Sequence, residues 1–499
     1  MNYDRSSNMN YDRSSKKEKW TFMKYVRSFD QIVTYAKKIR ELQSNINGKT
    51  LDTIQSEFEN IGIYNPRFGK KNRSTLICKI RHLVYFMFGY TERIEENLKF
   101  IFSPLGNLLL DNYGNKDATS RIFLSMLFSI EFHHSFNKMS DEFQLYPFRI
   151  LFQLLNDERL DGKLYNDEVF YYVVFIKKIN KSIYEELVKD ILEFRKLTCE
   201  EKYLLFKKNE SVIADSLHLW RYTVGTLEDA DIFYNHKTNN ISYGNLIQGK
   251  DTKRTYRYEY VTINENIKNF ICTMLDNYPY YEDTVMSNKS LFKSDKISEL
   301  YNFYPKELIE ELGLENDKKQ EDLVSILSLT KQIESTSYNT NKNDCYTFED
   351  VLALAMNYFS DVRAEKIGGA GNTDVECIYL EKNQKFDIEA KSRKYKLDQI
   401  NAGRLKEHRH RVGSMYTIVV TPDYVPAVKN DIKDENIVII KSRTFSNLMY
   451  QLNVKYGRNI KYGFLNKIII NNLGCDISPK IDNYICENLS NTVPSNLLY

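Results

Sequence analysis

Gly368 to Lys391 reads GGAGNTDVECIYLEKNQKFDIEAK. A glycine-rich entry leads to Asp374 at the head of one strand; a turn follows, and a second strand carries Glu389, Ala390 and Lys391. Alternate residues of a strand share a face. Asp387, Glu389 and Lys391 therefore point one way, and Phe386, Ile388 and Ala390 the other. Val375, Cys377 and Tyr379 alternate in the same way with Asp374, Glu376 and Ile378. A hairpin turn over Glu381 to Lys385 brings Asp374 near Glu389. Two converging carboxylates suit a hard divalent cation, which wants oxygen ligands. A lysine beside them can orient an attacking water or offset charge on a phosphate. Glu-x-Lys also arises by chance in long chains, and a charged surface hairpin is the plainer reading, so the flanks of the motif decide its weight.

Upstream, Thr347-Phe348-Glu349-Asp350 reads as a helix start, a capping-box variant with Thr347 as cap and Asp350 where Glu or Gln is usual. Phe348, Val351, Leu352, Ala355 and Phe359 form its apolar stripe. Glu349 is either a third metal ligand or a favourable anion near a helix N-terminus. Downstream, a helix from about Leu397 to Arg411 has seven basic residues in and around it (Arg393, Lys394, Lys396, Arg404, Lys406, Arg409 and Arg411) against Asp398 and Glu407. That imbalance directly after the carboxylates points to phosphate contact, with Arg404 and Arg409 the candidates. His408 is a candidate for positioning water or phosphate. Met415 to Val420 and Ile437 to Ile440 read as buried strands, completing a mixed α/β core.

The N-terminal part is patterned for helices near Trp20 to Ala36, Leu51 to Asn60 and Thr75 to Phe88. Six basic residues and no acidic one lie between Arg67 and His82. Helix, turn and basic helix is the layout of a helix-turn-helix reader, which makes Lys70, Lys71 and Arg73 candidate DNA contacts. A solvated basic loop on a bundle is the alternative. Phe100 to Gly106 then reads as the strand and turn of a wing. Ala118 to Phe136 and Leu164 to Lys177 are patterned as core helices; His133 and His134 read as packing or capping residues, with no spaced partner for a metal. Farther on, Lys250, Lys253, Arg254 and Arg257 interleave with Tyr256, Tyr258 and Tyr260. Basic residues alternating with aromatics can grip phosphates and sugars. The polar run Ser335 to Asn343, STSYNTNKN, is the linker candidate.

The pattern divides the chain into a disordered tail at 1–15 (a repeat of MNYDRSS), a helical, winged-helix-like recognition domain at 16–199, a second recognition module at 200–304, a linker at 305–343 and a catalytic domain at 344–499. The fold class is α+β multidomain. With 42% hydrophobic and 27% charged residues the composition is that of an ordinary soluble protein. A net charge of +3 leaves any nucleic-acid affinity to local patches. Val169 to Ile176, the longest apolar run, is too short for a bilayer, and the N-terminus has no apolar signal segment. Seven cysteines without a CxxC fit reduced thiols in the cytoplasm and no structural zinc.

On these residues the C-terminal half resembles the PD-(D/E)XK nuclease superfamily. The whole chain is similar to the AlwI-type family of type IIS restriction endonucleases and their nicking relatives. The resemblance is carried by Glu349, GGAGNTD up to Asp374, EAK at Glu389 to Lys391, LKEHR at Leu405 to Arg409, FSPLGNLLL at Phe102 to Leu110 and YPFRILFQLL at Tyr146 to Leu155. Thr373 stands where the superfamily name has proline. The resemblance implies a restriction-endonuclease-like core that hydrolyses double-stranded DNA at a fixed offset from a short asymmetric site. Mg²⁺ would be held by Asp374 and Glu389, with Glu349 as a further candidate and Lys391 activating water. It implies a second subunit or transient dimer for double-strand cleavage, nicking as the alternative, and a cognate DNA methyltransferase as companion. The rival readings are a structure-selective or modification-dependent nuclease and a DNA-binding regulator with a degenerate nuclease domain.

Overall fold

The structure, a computed structural model, describes residues 18–24, 26, 28–41, 48–60, 62, 73–94, 97–136, 141–237, 242–249, 252–289, 291–314, 317–340, 343–367 and 372–489. The repeat at 1–15, Lys70, Lys71 and Lys250 lie outside them. Among the described residues no helix is long and apolar enough to cross a membrane.

The C-terminal unit opens with α1 (Lys318–Ser337) and α2 (Asp344–Met356). Five strands follow: β1 (Val362–Lys366), β2 (Val375–Tyr379), β3 (Gln384–Ala390), β4 (Thr417–Thr421) and β5 (Ile437–Lys441). Helix α3 (Ala402–Val412) connects β3 to β4, and α4 (Ser442–Tyr456) leaves β5. The strands form one sheet in the order β5-β4-β3-β2-β1. β1, β2 and β3 pair antiparallel; β3, β4 and β5 pair parallel. The runs TIVVT and IVIIK are buried on both faces, as parallel strands covered on each side require.

Alternation along β3 separates two layers. Phe386 and Ile388 enter the larger core with Leu329 and Ile333 of α1, Phe348 and Leu352 of α2, and Leu448 of α4. The opposite face of the sheet is covered by a smaller core built from Leu397, Leu405, Val419 and Ile439. Asp387 and Glu389 therefore point toward α3. The hairpin between β2 and β3 is as expected from the sequence: Ile388 pairs with Val375, and Asn383 turns the chain at φ 49°.

Several expectations are corrected. The linker expected at 305–343 is largely helical: Leu308 packs into the N-terminal core, while Ile326, Leu329 and Ile333 of α1 are buried in the C-terminal core, so Lys318–Ser337 belongs to the C-terminal unit. Helix α2 begins at Asp344 rather than Thr347, whose hydroxyl donates to the Asn343 carbonyl from inside the helix. The helix expected from Leu397 begins at Ala402, capped by the Asn401 side chain, because Leu397 bridges to Tyr424. Leu164 to Lys177 breaks into a short strand, a helix over Asn166–Tyr171 and a 3₁₀ turn. The core helix expected over Ala118 to Phe136 ends at Ser129.

In the N-terminal half, helices Phe29–Glu41, Gly48–Asn60 and Arg73–Tyr85 lead into a hairpin of Gly89–Ile94 and Asn97–Phe102. The turn expected after Phe102 is instead a helix start: Ser103 caps it by accepting from the Gly106 N–H at 2.9 Å, and Pro104 follows. Gly106 is fixed by contact, since a Cβ there would stand 2.1 Å from the Phe88 carbonyl oxygen. One hydrophobic cluster runs from Trp20 to Leu308 and includes Trp220 and Ile267, so the boundary expected at 199/200 does not separate two cores.

The halves meet through charged groups. Arg443 of α4 donates from both guanidinium arms to Glu92 of the N-terminal hairpin at 3.0 Å, and to the Tyr90 hydroxyl at 3.1 Å. Glu334 of α1 accepts from Ser298 at 3.0 Å and from Ser446 at 2.6 Å. A cavity of about 490 Å³ lies beside Glu334 between the halves, lined by Arg149, Tyr304 and Tyr338 among others.

Candidate active site

The site lies where β2 and β3 come together at one end of the sheet. Asp374 precedes β2, and its Oδ2 accepts the Ala390 N–H at 2.7 Å, which ties it to the backbone beside Glu389. Thr373 is buried and donates its hydroxyl to the Ile388 carbonyl at 3.3 Å. That contact clamps the same end of the hairpin. Burial, and then the nearby Glu389 carboxylate, push the Asp374 carboxyl up to about 7. A carboxyl crowded in this way gains from a cation that offsets the repulsion.

Glu389, only 2% exposed, already draws positive charge. Its Oε1 accepts from the Lys391 ammonium and from the Arg404 guanidinium, the latter at 2.6 Å. Arg404 lies in the first turn of α3, where the Asn401 side chain accepts its backbone N–H. One turn on, His408 is 5% exposed, with Nδ1 enclosed and without a hydrogen-bond partner. Burial lowers its pKa, and Glu389 opposes that shift. The spacing puts Arg404 and His408 on one face of α3, Arg404 bonded to Glu389 and His408 within the electrostatic reach of the same carboxylate.

Glu349 comes from α2 on the other side of the sheet. Burial raises its pKa, with Glu389 among the smaller contributors, so the carboxylates sense each other. Its Oε2 lies 3.4 Å from the ammonium of Lys366, which also lies 3.0 Å from Asp350. Sequence reasoning does not reach Lys366. It ends β1, in line with the inward-facing Val362 and Ala364; a lysine closing an apolar row is the signal that could have found it.

Arg409 departs from expectation. It is 5% exposed and donates to Thr417 at 3.1 Å, with Glu435 at 3.4 Å. It faces inward beside Asp387, whose carboxyl burial raises to about 6. A side chain so placed balances a buried acid.

Among the candidates in the N-terminal half, Arg73 opens the third helix. Lys253 is exposed on the strand Thr252–Arg257, and Arg254 beside it donates to Gln248 at 2.7 Å. Arg257 has its Nε enclosed without a hydrogen-bond partner. Tyr256 is a core residue, donating its hydroxyl to Asp167 at 2.6 Å, which corrects its reading as a nucleic-acid contact. Tyr258 stacks on Tyr165 and Tyr260 on His236, with ring centroids 4.5 and 4.4 Å apart.

The donor set suits a divalent cation. Asp374 and Glu389 offer hard oxygens at a place where two cationic side chains already gather. Among the described residues no group of three His, Cys, Asp or Glu side chains is arranged to hold an ion. Mg²⁺ commonly takes one or two carboxylates, with water and substrate oxygens as its remaining ligands.

Residues 14–278 match the N-terminal domain of the type II restriction endonuclease HgaI. The type II restriction enzyme HgaI of Avibacterium volantium is 38% identical over 473 residues, covering 93% of this chain and 96% of that protein. Among solved structures, the BpuJ1 endonuclease binding domain in complex with modified DNA aligns at a TM-score of 0.35 and 15% identity, over 58% of this chain and 98% of that one. FokI bound to DNA aligns at a TM-score of 0.27 and 9% identity, over 92% and 99% respectively. The sequence matches span the N-terminal half and nearly the whole length, and on them the chain belongs to the HgaI family of type II restriction endonucleases.

Proposed function

We propose that this restriction endonuclease is a type IIS enzyme, which hydrolyses DNA at a fixed offset from a short asymmetric site using Mg²⁺ and a PD-(D/E)XK core. The observation that carries the reading is the meeting of Asp374, Glu389 and Lys391 at one end of a single hairpin. The finer kinship to AlwI-type enzymes rests on short motifs alone. Double-stranded DNA is the partner, with the N-terminal half as reader; its three helices and hairpin supply a winged-helix-like layout, and Lys253 and Arg254 lie on a second hairpin.

Asp374 and Glu389 would hold the ion. When bound, Mg²⁺ supplies Lewis acidity toward a phosphoryl oxygen and lowers the pKa of water. Lys391, released from Glu389, orients the attacking water and offsets charge on the phosphate. Arg404, half exposed at the same carboxylate, turns to a phosphate oxygen. His408 backs Glu389 from beneath α3. One such centre cuts one strand, so double-strand cleavage needs a second copy or a transient dimer; nicking is the outcome without one. The enzyme acts in the cytoplasm beside a DNA methyltransferase that protects its site.

Incubating the purified chain with unmodified plasmid and Mg²⁺, then sequencing the ends, tests the reading. Ends at one constant distance from one sequence are expected, with 5′-phosphate and 3′-hydroxyl groups. Cutting only at modified bases or at branched structures would favour the rival nucleases. Site-specific binding without any Mg²⁺-dependent cutting would favour the regulator.

A further inference from the structure

Lys366 is fixed more firmly than the other cations of the site. β1 and β2 pair so that Lys366 stands opposite Val375, and the Ile367 N–H donates to the Asp374 carbonyl at 3.0 Å. The backbone of Lys366 is thereby tied to that of a metal-ligand candidate. Its ammonium donates to the Tyr346 carbonyl at 2.7 Å and lies 3.0 Å from Asp350 and 3.4 Å from Glu349. An ammonium has three N–H donors, so three acceptors take up its full capacity. Lys391 and Arg404 differ, because both converge on one oxygen of Glu389 and the Arg404 side chain is 51% exposed. Cations held in that way exchange readily with an incoming ion. At the Glu349 pole the compensating charge is built in.

Sites that hold two metal ions place them about 3.5–4 Å apart and need carboxylates for both. Here the carboxylates divide: Asp374 and Glu389 remain for an ion, while Glu349, with its side chain 14% exposed, is taken by Lys366 together with the more exposed Asp350. We propose that Lys366 stands in for a second metal ion, so that the site binds one divalent cation and Glu349 is kept out of its coordination shell. The inference rests on the metal-dependent reading above and adds the number of ions and the residue that sets it.

The test is a Mn²⁺ titration of the full chain without DNA, with free ion followed by electron paramagnetic resonance. Wild type should bind one ion, and Glu389→Gln should abolish it. Lys366→Arg should keep one; Lys366→Met, which frees Glu349 and Asp350, should bind two. Glu349→Gln should leave the affinity of the single site unchanged within about twofold, since an uncoordinated group contributes little beyond its screened charge. Two ions in wild type, one in a folded Lys366→Met variant, or a tenfold loss of affinity in Glu349→Gln would each overturn the inference while leaving the nuclease reading intact. An ion that survives Glu389→Gln, or no binding in wild type, would overturn both.

Discussion

Among the described residues, one cluster of crowded carboxylates lies at the end of the sheet and another between the halves. Asp374 in the first and Glu334 in the second are both pushed up to about 7, chiefly by burial. Their partners separate them. Glu334 is satisfied by two serine hydroxyls, and the neighbouring Arg443 grips Glu92 with both arms. At the sheet end, cations crowd onto a single oxygen of Glu389, and one of them is half in solvent. A displaced carboxyl by itself records burial; reactivity shows in partners that can be exchanged.

The largest expected effect separates the clusters outright. Glu389→Gln should lower Mg²⁺-dependent cleavage at least about a thousandfold, equivalent to roughly 4 kcal/mol, with little change in melting temperature; retained cutting would remove Glu389 from the chemistry. Arg443→Ala should do the reverse. It leaves Glu92 without its guanidinium, and for a pair with side chains 17% and 30% accessible the loss should be about 3 kcal/mol in denaturant unfolding. A loss below about 1 kcal/mol, the scale of an exposed pair, would mean that the junction is not held by this contact.

A pH series sharpens the comparison further. Asp374 and Glu334 have folded pKa values of about 7, above the unfolded carboxyl value of roughly 4. Between these values the folded chain holds protons that the unfolded chain has lost, so stability from both groups is present at low pH and is lost as pH rises through about 7. The metal-free protein should therefore melt higher near about pH 5.5 than near about pH 8. Mg²⁺ should raise the melting temperature at the higher pH by about 2–4 °C for each kcal/mol of binding, and by less at the lower, because it binds the ionised pair. Glu334→Gln should flatten the part of the slope that Mg²⁺ leaves untouched. Identical slopes with and without the ion would place Asp374 outside the metal site.

The smallest effect concerns the N-terminal half. Lys253→Ala should lower the salt dependence of DNA binding by about one unit of slope and weaken binding equally for all sequences. A change confined to one sequence would make Lys253 a base reader.

The hairpin and the facing of Glu389 are legible in the sequence because a period of two leaves little freedom: once Phe386 and Ile388 go inward, Glu389 must go the other way. Glu349 and Lys366 meet across two elements that no periodicity relates, so nothing in the sequence pairs them. Ser335 to Asn343 misleads because its polar residues look like a break, whereas Ile333 just before it and Tyr338 within it are buried. Charge density alone assigns Arg409 to DNA. Its place under α3 depends on Asp387, an acid that enters the interior only once the sheet has formed.

The grip of Arg443 on the N-terminal hairpin has a consequence for building chimeras. The arginine is the second residue of α4, just after β5, so on the proposed division into a cutting unit and a reading head, a transplanted cutting unit carries it along. Without Glu92 and Tyr90 on the new head, the graft would inherit an uncompensated charge in its seam. Exchanging specificity between such enzymes therefore means moving those two hairpin residues together with the head, or replacing the arginine in the same step.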